Sequence, residues 1–351
     1  MKKHAKKYLG LLFPFLLMVL FLYFALKGID IKKSIKLIYN ANIGYVLLFF
    51  TLFISSHFLR SLRWQVMTKS IKKDSKTINF FGATMIGYGV NCVIPRLGEV
   101  YRGLFIGKWE GISRSSMLGT IIIERVIDVI MLVFTVIVSL FLYKGNLFND
   151  VVWLKSTIIF SLIFSSVFIL FIILFSTWKK EVSENFIHKL SFFSPKIASK
   201  TDYIFHTLLT GIASIKGYKN WTYTLLLSVI IIIIYALTTQ IGLLMFNFNY
   251  AGEITFAMAW IVSALGSFGV IIPTPGGTGS YHAISIFILV ELFAFGKEAA
   301  AAYAILTHFI SYIVFIGLAL FFFIYINLKL KNKGGKAEDF ISVLKSGKGD
   351  K

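Results

Sequence analysis

From Ser115 to Tyr143 the chain is long and apolar enough to cross a bilayer, yet Glu124, Arg125 and Asp128 lie inside it. A charged side chain at the bilayer centre costs roughly 2.5–3.5 kcal/mol on insertion scales, so three such groups clustered on one apolar helix require partners, a polar cavity, or both. This excludes a simple lipid-facing anchor and points to a helix that turns a polar face into a protein interior. The residues just upstream sharpen the point. Asn91-Cys-Val-Ile-Pro-Arg-Leu-Gly-Glu, followed by Arg102, interrupts an apolar segment with proline and glycine and brings Arg96, Glu99 and a second arginine to its edge.

The rest of the chain is suited to a membrane. Hydrophobic residues make up 57% and charged residues 15%, and the mean hydropathy of +0.79 is far above that of soluble domains. The reading is an all-α, polytopic membrane helix bundle. A net charge of +20 does not indicate nucleic acid, because the Lys and Arg residues lie between apolar runs and form no recognition motif. Anionic lipid head groups are the matching counter-charge. The one cysteine, Cys92, excludes an intramolecular disulfide and a Cys-based metal site, and reads as a small apolar packer.

In chain order, Lys2, Lys3, Lys6 and Lys7 precede an apolar run from Tyr8 to Leu26, read as a retained first span with a cytoplasmic N-terminus. A second span, Ile43–Leu62, is followed by a basic cytoplasmic loop containing Arg63, Lys69, Lys72, Lys73 and Lys76. The loop between these spans, with Lys27, Lys32, Lys33 and Lys36, is placed outside by parity, against the positive-inside rule. The next apolar piece, Asn79–Ile94, is short and contains Gly82, Gly87 and Gly89. Read as a span, it would put the basic loop with Arg96, Arg102, Lys108 and Arg114 outside; a re-entrant hairpin over 79–112 keeps that loop inside.

Further spans are expected at Ser115–Tyr143, Leu154–Phe175, Thr222–Phe246 and Ala302–Ile326, the last placing the C-terminus inside. Over 177–221 a cytoplasmic connection carries Ile204, Phe205, Leu208, Leu209, Ile212 and Ile215 at helical spacing, the pattern of an amphipathic helix on the membrane surface. A second broken segment covers 254–296: an apolar arm to Ile272, then Pro273-Thr-Pro-Gly276-Gly277-Thr-Gly279, then an apolar return. Ile94-Pro95-Arg-Leu-Gly98 and Ile272-Pro273-Thr-Pro-Gly276 share Ile-Pro-x-x-Gly, and paired Gly/Pro breaks in two halves mark the midplane site of many transporters. The count is six full spans and two hairpins, or eight spans if the second hairpin crosses. The membrane domain occupies 1–328, and 329–351 forms a basic, disordered tail.

These residues carry a family resemblance. Asn91-x-x-x-Pro95-Arg-Leu-Gly-Glu99-x-x-Arg102, Glu124-Arg125-x-x-Asp128 and Pro273-x-Pro-Gly-Gly-x-Gly279 resemble the signature of the flippase-like membrane domain of lysylphosphatidylglycerol synthases. The resemblance covers about Leu9 to Ile326. It implies an α-helical protein of the bacterial cytoplasmic membrane that acts on lipids. The soluble aminoacyl-transfer domain of bifunctional members is not expected, since a short tail follows Ile326. Ser280-Tyr281-His282 stands where many relatives are expected to carry an acidic residue.

The motifs suit a charged head group. Arg96 and Arg102 can make bidentate phosphate contacts, Gly98 and Gly276–Gly279 allow close backbone approach to a ligand, and broken helices offer N–H groups to anions. Asn91, Arg96, Glu99, Arg102, Glu124, Arg125, Asp128, Pro273, Gly276, Gly277, Gly279 and His282 are therefore the candidate substrate-binding residues. A structural reading stays open for several. Arg125 and Asp128 can pair three apart on one helix, Arg96–Glu99 can fix a loop, and His57, His282 and His308 can be hydrogen-bonded packing residues. Glu291 is the remaining intramembrane acid.

The residues for ATP-driven pumping, zinc hydrolysis and serine hydrolysis are missing, and Gly276-Gly277-x-Gly279 has no βαβ context. No cofactor or metal is expected. The function expected is a lipid flippase or translocase rather than an enzyme. The runners-up are an intramembrane lipid-modifying transferase, with Glu124 or His282 as base, and a non-transporting scaffold for envelope biosynthesis. The partners expected are a charged-head-group lipid and the membrane, together with a second copy of the chain or envelope-biosynthesis enzymes.

Overall fold

In the computed structural model, residues 2–160, 163, 167, 170, 194, 217–246, 248 and 252–332 are described. Every regular element among them is helical, which is how a chain in lipid satisfies its backbone polar groups within each segment. The helices are α1 (Lys2–Leu26), α2 (Ile31–Tyr39), α3 (Ile43–Thr68), α4 (Thr77–Val93), α5 (Leu97–Glu110), α6 (Arg114–Leu142), α7 (Tyr218–Leu244), α8 (Phe256–Ile271), α9 (Ser280–Phe287) and α10 (Lys297–Asn332). A single turn at Leu147–Asp150 leads into a helix that begins at 152. Among the described residues, three helices are long and apolar enough to cross a membrane: α3, α7 and the Lys297–Lys329 part of α10. The α1–α2 pair, bent by 88°, makes a fourth if it is taken as one span. Of the connection expected at 177–221, residues 177–193 and 195–216 lie outside the described residues, as does the tail beyond 332.

Two stretches expected as loops are helical. The lysine-rich segment after α1 forms α2, because Asp30 caps it by accepting from Lys33 N and its apolar residues recur at helical spacing. Its Ser34 is buried, while Lys32, Lys33 and Lys36 remain exposed. The basic stretch after Pro95 is α5. Arg96 turns the corner in a left-handed conformation (φ 64°), and Arg102 is then carried into the interior instead of lying at the surface. Likewise α3 continues past Leu62 to Thr68, so Arg63 belongs to a buried helix face and not to a cytoplasmic loop.

Helices α4 and α5 form a hairpin. Its tip is Ile94-Pro95-Arg96, and its open end is tied shut by Glu110. Glu110 Oε1 accepts from Lys76 N at 3.0 Å and from Asn79 Nδ2 at 2.7 Å, while Lys72 Nζ donates to the Glu110 carbonyl at 2.6 Å. The glycines that weaken this segment as a span have structural uses. Gly87 and Gly98 bring the two arms together, since a Cβ on Gly87 would lie 2.9 Å from the Gly98 carbonyl oxygen. Gly89 faces α10, where a Cβ would lie 2.5 Å from Ala319 Cβ.

The second broken segment is also a hairpin. Helix α8 and the return arm α9 approach closely at Gly269, whose Cβ would lie 2.8 Å from Tyr281 Cα. The Ser280 hydroxyl holds the intervening turn by donating to the Gly269 carbonyl at 2.6 Å and pairing with Thr274 Oγ1 at 2.8 Å. A π-turn at Ile288–Leu292 ends α9 and leads into α10. The largest apolar core, with Leu243, Leu265, Leu289 and Ala300–Ala304, lies between α7, α8, α9 and α10.

Candidate functional site

Helices α3 and α5 bring charge together around α6. Glu124 is fully buried and accepts from Arg102 Nη2 of α5 at 2.6 Å and from Arg63 Nη2 of α3 at 3.2 Å. One turn on, Asp128 accepts from Arg63 Nη2 at 2.5 Å and pairs with Arg60 Nη2. Arg60 also reaches Glu124 Oε1, at 3.2 Å. Helix α7 supplies neutral partners: Ser228 Oγ accepts from Arg63 Nη1 at 3.0 Å, and Tyr235 OH lies 3.5 Å from Arg60 Nη1. Trp64 completes the wall, with the Arg102 guanidinium 4.8 Å over its ring and its own Nε1 donating to Thr120 Oγ1 at 2.9 Å.

The outer edge of the cluster meets the first break. Arg125 Nη2 pairs with Glu99 at 3.2 Å and Arg125 Nη1 with Asp128 at 3.4 Å. Glu99 Oε2 accepts from Asn91 Nδ2 at 3.2 Å, and Asn91 Oδ1 accepts from Gly98 N at 2.8 Å. The start of α5 is thus capped by the helix that precedes it, and Gly98 serves contact between the two arms. Exposure rises outward along this chain of side chains, from 0% at Glu124 through 20% at Asp128 and 26% at Glu99 to 41% at Arg125. Arg60, Arg63, Arg102 and Arg125 face Glu99, Glu124 and Asp128, so four guanidinium groups meet three carboxylates and one positive charge is in excess. The Nε atoms of all four arginines are buried without a hydrogen-bond partner.

The two breaks touch each other. Arg96 does not pair with Glu99; its Nη2 donates to the Ile271 carbonyl at 3.1 Å. Tyr312 of α10 lies between them. Its hydroxyl is 2.7 Å from the Pro275 carbonyl, 3.3 Å from the Cys92 carbonyl and 2.7 Å from Thr278 Oγ1. Around it, Gly276 O accepts from His308 Nε2 at 3.2 Å, and His282 Nδ1 accepts from Gly279 N at 3.4 Å. Gly276 abuts the Tyr312 ring, and a Cβ on Gly279 would lie 2.6 Å from the Met18 carbonyl of α1. Pro273 is half-buried in the turn between Ile272 and Thr274. Glu291 is exposed in the π-turn.

The candidate residues therefore fall into two neighbouring groups. Asn91, Glu99, Arg102, Glu124, Arg125 and Asp128 share the ion-paired cluster, whereas Pro273, Gly276, Gly277, Gly279 and His282 form the second turn. Arg96 joins the two groups through the backbone. Glu124 is directed at arginines of α3 and α5, not between the turns. Arg60 and Arg63 were not expected here. The signal was His57-x-x-Arg60-x-x-Arg63, polar residues three apart on one face of an apolar helix. His57 itself sits among Phe53, Tyr88 and Phe315 rings at 4.6–5.0 Å, with both ring nitrogens buried and unpartnered.

Such an arrangement defines a polytopic membrane protein with a buried, ion-paired centre beside two broken helices. The chain belongs to the family described as Lysylphosphatidylglycerol synthase TM region, which matches residues 11–345. It is 28% identical to UPF0104 membrane protein MJ1595 of Methanocaldococcus jannaschii over 331 residues, covering 90% of this chain and 95% of that protein. A second relative from that organism, UPF0104 membrane protein MJ1078, is 28% identical over 254 residues, 70% of this chain and 99% of its own length. UPF0104 membrane protein PH1989 of Pyrococcus horikoshii is 28% identical over 142 residues, 39% of this chain and 41% of its own.

Proposed function

We propose that this chain is a lipid translocase of the flippase type, seated in the cell membrane with both termini cytoplasmic, which passes an anionic lipid head group along the outer edge of the ion-paired cluster. The observation that supports this most is the surplus positive charge: three buried arginines and the part-exposed Arg125 meet three carboxylates, and Arg125, the most accessible of the four, lies at the first break. The surplus charge lies nearest the accessible end of the cluster, so a phosphate that approaches this edge meets a guanidinium whose own carboxylate contacts are long. Arg102–Glu124 is short and buried, Arg63–Asp128 is short and part-buried, and they anchor the helices. Arg125 makes longer contacts with Glu99 and Asp128, and a phosphate can replace them by a bidentate pair. Arg96, exposed at the hairpin tip and bonded to a neutral carbonyl, offers a second exchangeable contact.

The experiment is head-group accessibility in vesicles that contain the protein and a fluorescent-head-group phosphatidylglycerol, quenched by an impermeant reductant. Arg125→Gln is expected to slow transfer about tenfold, equivalent to a loss of about 1.4 kcal/mol, at an unchanged amount of folded protein. Unchanged transfer in the Arg96→Gln/Arg125→Gln double variant removes this reading. Appearance of a new lipid species by mass spectrometry would instead support the transferase reading.

A further inference from the structure

Between α1 and α10 lies a groove of about 640 Å³, lined by Leu22, Thr278, His282, Ile305, His308, Phe309, Tyr312, Ile313, Ile316 and Gly317. That volume is within the roughly 300–1,000 Å³ typical of small-molecule sites. Its long wall is one face of α10, a helix apolar enough to cross the membrane, and Phe309, Ile313 and Ile316 are 60%, 52% and 40% exposed. Its polar lining, the floor, comes from Thr278 and His282 of the second break and from His308 and Tyr312 of α10. No lining residue is an acid, a lysine or an arginine.

The hydrogen bonds fix what the floor presents. Because His282 Nδ1 accepts from Gly279 N, the ring proton lies on Nε2. Because a carbonyl accepts from His308 Nε2, that nitrogen carries the proton, and Nδ1 remains the acceptor. The rings stand 4.7 Å apart, and His282 Nε2 and His308 Nδ1 make no hydrogen bond among the described residues. Thr278 and Tyr312 are engaged with each other and with Pro275 O, so the two histidines hold the unused polar capacity of the groove.

We infer that this groove binds a glycerolipid: one hydrocarbon tail lies along Ile305, Phe309, Ile313 and Ile316, and an uncharged oxygen at the head–tail junction accepts from His282 Nε2–H. Tail and junction match an apolar wall ending in uncharged donors and acceptors; a charged head would be left unpaired there and belongs on the arginine side. Tyr312 forms the partition, since its hydroxyl bonds both Pro275 O in the floor and Cys92 O at the end of α4. The groove rests on the translocase reading for its role, as the place from which a membrane lipid reaches the Arg96–Arg125 edge. Occupancy is measured without transport.

The probe is a phosphatidylglycerol with a diazirine in one tail, placed at trace level in phosphatidylglycerol/phosphatidylethanolamine vesicles holding the full chain. After irradiation, adducts are mapped by mass spectrometry and compared with those at Phe141, which is 84% exposed on α6 and remote in sequence from the groove. Adducts are expected to concentrate at 305–317. Gly317→Phe, placed where a Cβ meets nothing within 4 Å, fills the groove and should lower them about fivefold without changing Phe141 labelling. His282→Leu should also lower them about fivefold, the scale of one lost hydrogen bond. Adducts at 305–317 that match Phe141 and ignore Gly317→Phe overturn the inference, because the groove is then only lipid-facing surface. Labelling that falls with Gly317→Phe but not with His282→Leu overturns the junction assignment. Failure of the translocase reading shows separately, as head-group transfer insensitive to Arg125→Gln while tail adducts persist.

Discussion

Arg102 on the returning arm of the first hairpin lies 2.6 Å from Glu124 at the buried centre of α6. This contact fixes how far the hairpin inserts, because Gly87 and Gly98 already lock its two arms together. Removing one member of a buried ion pair typically costs about 3–5 kcal/mol, since the other charge stays buried. Glu124→Gln leaves Arg60, Arg63 and Arg102 facing one carboxylate fewer. It is expected to reduce the yield of monodisperse protein in detergent and to lower its unfolding temperature sharply. Arg125→Gln, at the exposed end, should change stability by about 1 kcal/mol or less. Equal thermal shifts for the two variants would contradict the division into buried anchor and accessible edge.

The glycine pair makes a separate claim. A Cβ on Gly98 would overlap the Gly87 carbonyl oxygen, which is backbone and cannot rotate away. Gly98→Ala should therefore prevent the hairpin from closing and cut the folded yield. Gly317→Ala introduces its methyl into open space, and it should leave the yield unchanged or raise stability by up to about 1 kcal/mol through helix propensity. Thermal unfolding of the two purified variants decides between a packing role for Gly98 and a ligand-approach role, in which Gly98→Ala would fold normally and lose only transport.

Much of this architecture is legible in the sequence, for identifiable reasons. Long apolar runs and Gly/Pro breaks are local signals, so the helical class and both hairpins can be read directly. The charges on α6 announce a polar centre because their insertion cost is independent of the rest of the fold. Their partners are harder to read. Arg60 and Arg63 stand near the end of an apolar run, where positive charge is usually a flank, and only the tertiary fold shows that α3 continues to Thr68 and turns both residues inward. Counting Arg63 and Arg102 as loop charges overstates the basic character of those connections. Gly98 and Gly279 looked like ligand-approach positions because a glycine carries no information about what comes close to it. In the structure the neighbours are Gly87 O and Met18 O.

The closed base of the first hairpin gives a topological prediction. Glu110 bonds Lys76 N and Asn79 Nδ2, so the segments flanking α4 and α5 emerge on one side. Single cysteines at Lys73 and Lys108, in a Cys92→Ser background, should both be protected from an impermeant thiol reagent added outside right-side-out vesicles, and both should react once the membrane is permeabilised. Labelling of one without the other would mean that the segment crosses the membrane and would dismantle the hairpin.

Tyr312 gives the sharpest test of whether the two breaks act as one unit. One hydroxyl serves both: it donates toward Pro275 O at 2.7 Å and Cys92 O at 3.3 Å while accepting from Thr278 Oγ1 at 2.7 Å. Tyr312→Phe keeps the ring that packs against Gly276 and His308 and deletes only these bonds. A typical hydrogen bond contributes about 0.5–1.5 kcal/mol net, so the protein should fold, yet amide exchange should quicken in both 91–97 and 272–279. The remaining bridge is Arg96 Nη2 to Ile271 O. If the breaks are coupled, Arg96→Gln and Tyr312→Phe together should quicken exchange by more than the product of the separate effects, as expected for neighbouring groups that share partners. Exchange that rises only at 272–279 in Tyr312→Phe, with effects that multiply independently in the double variant, would show that the turns are adjacent but move separately.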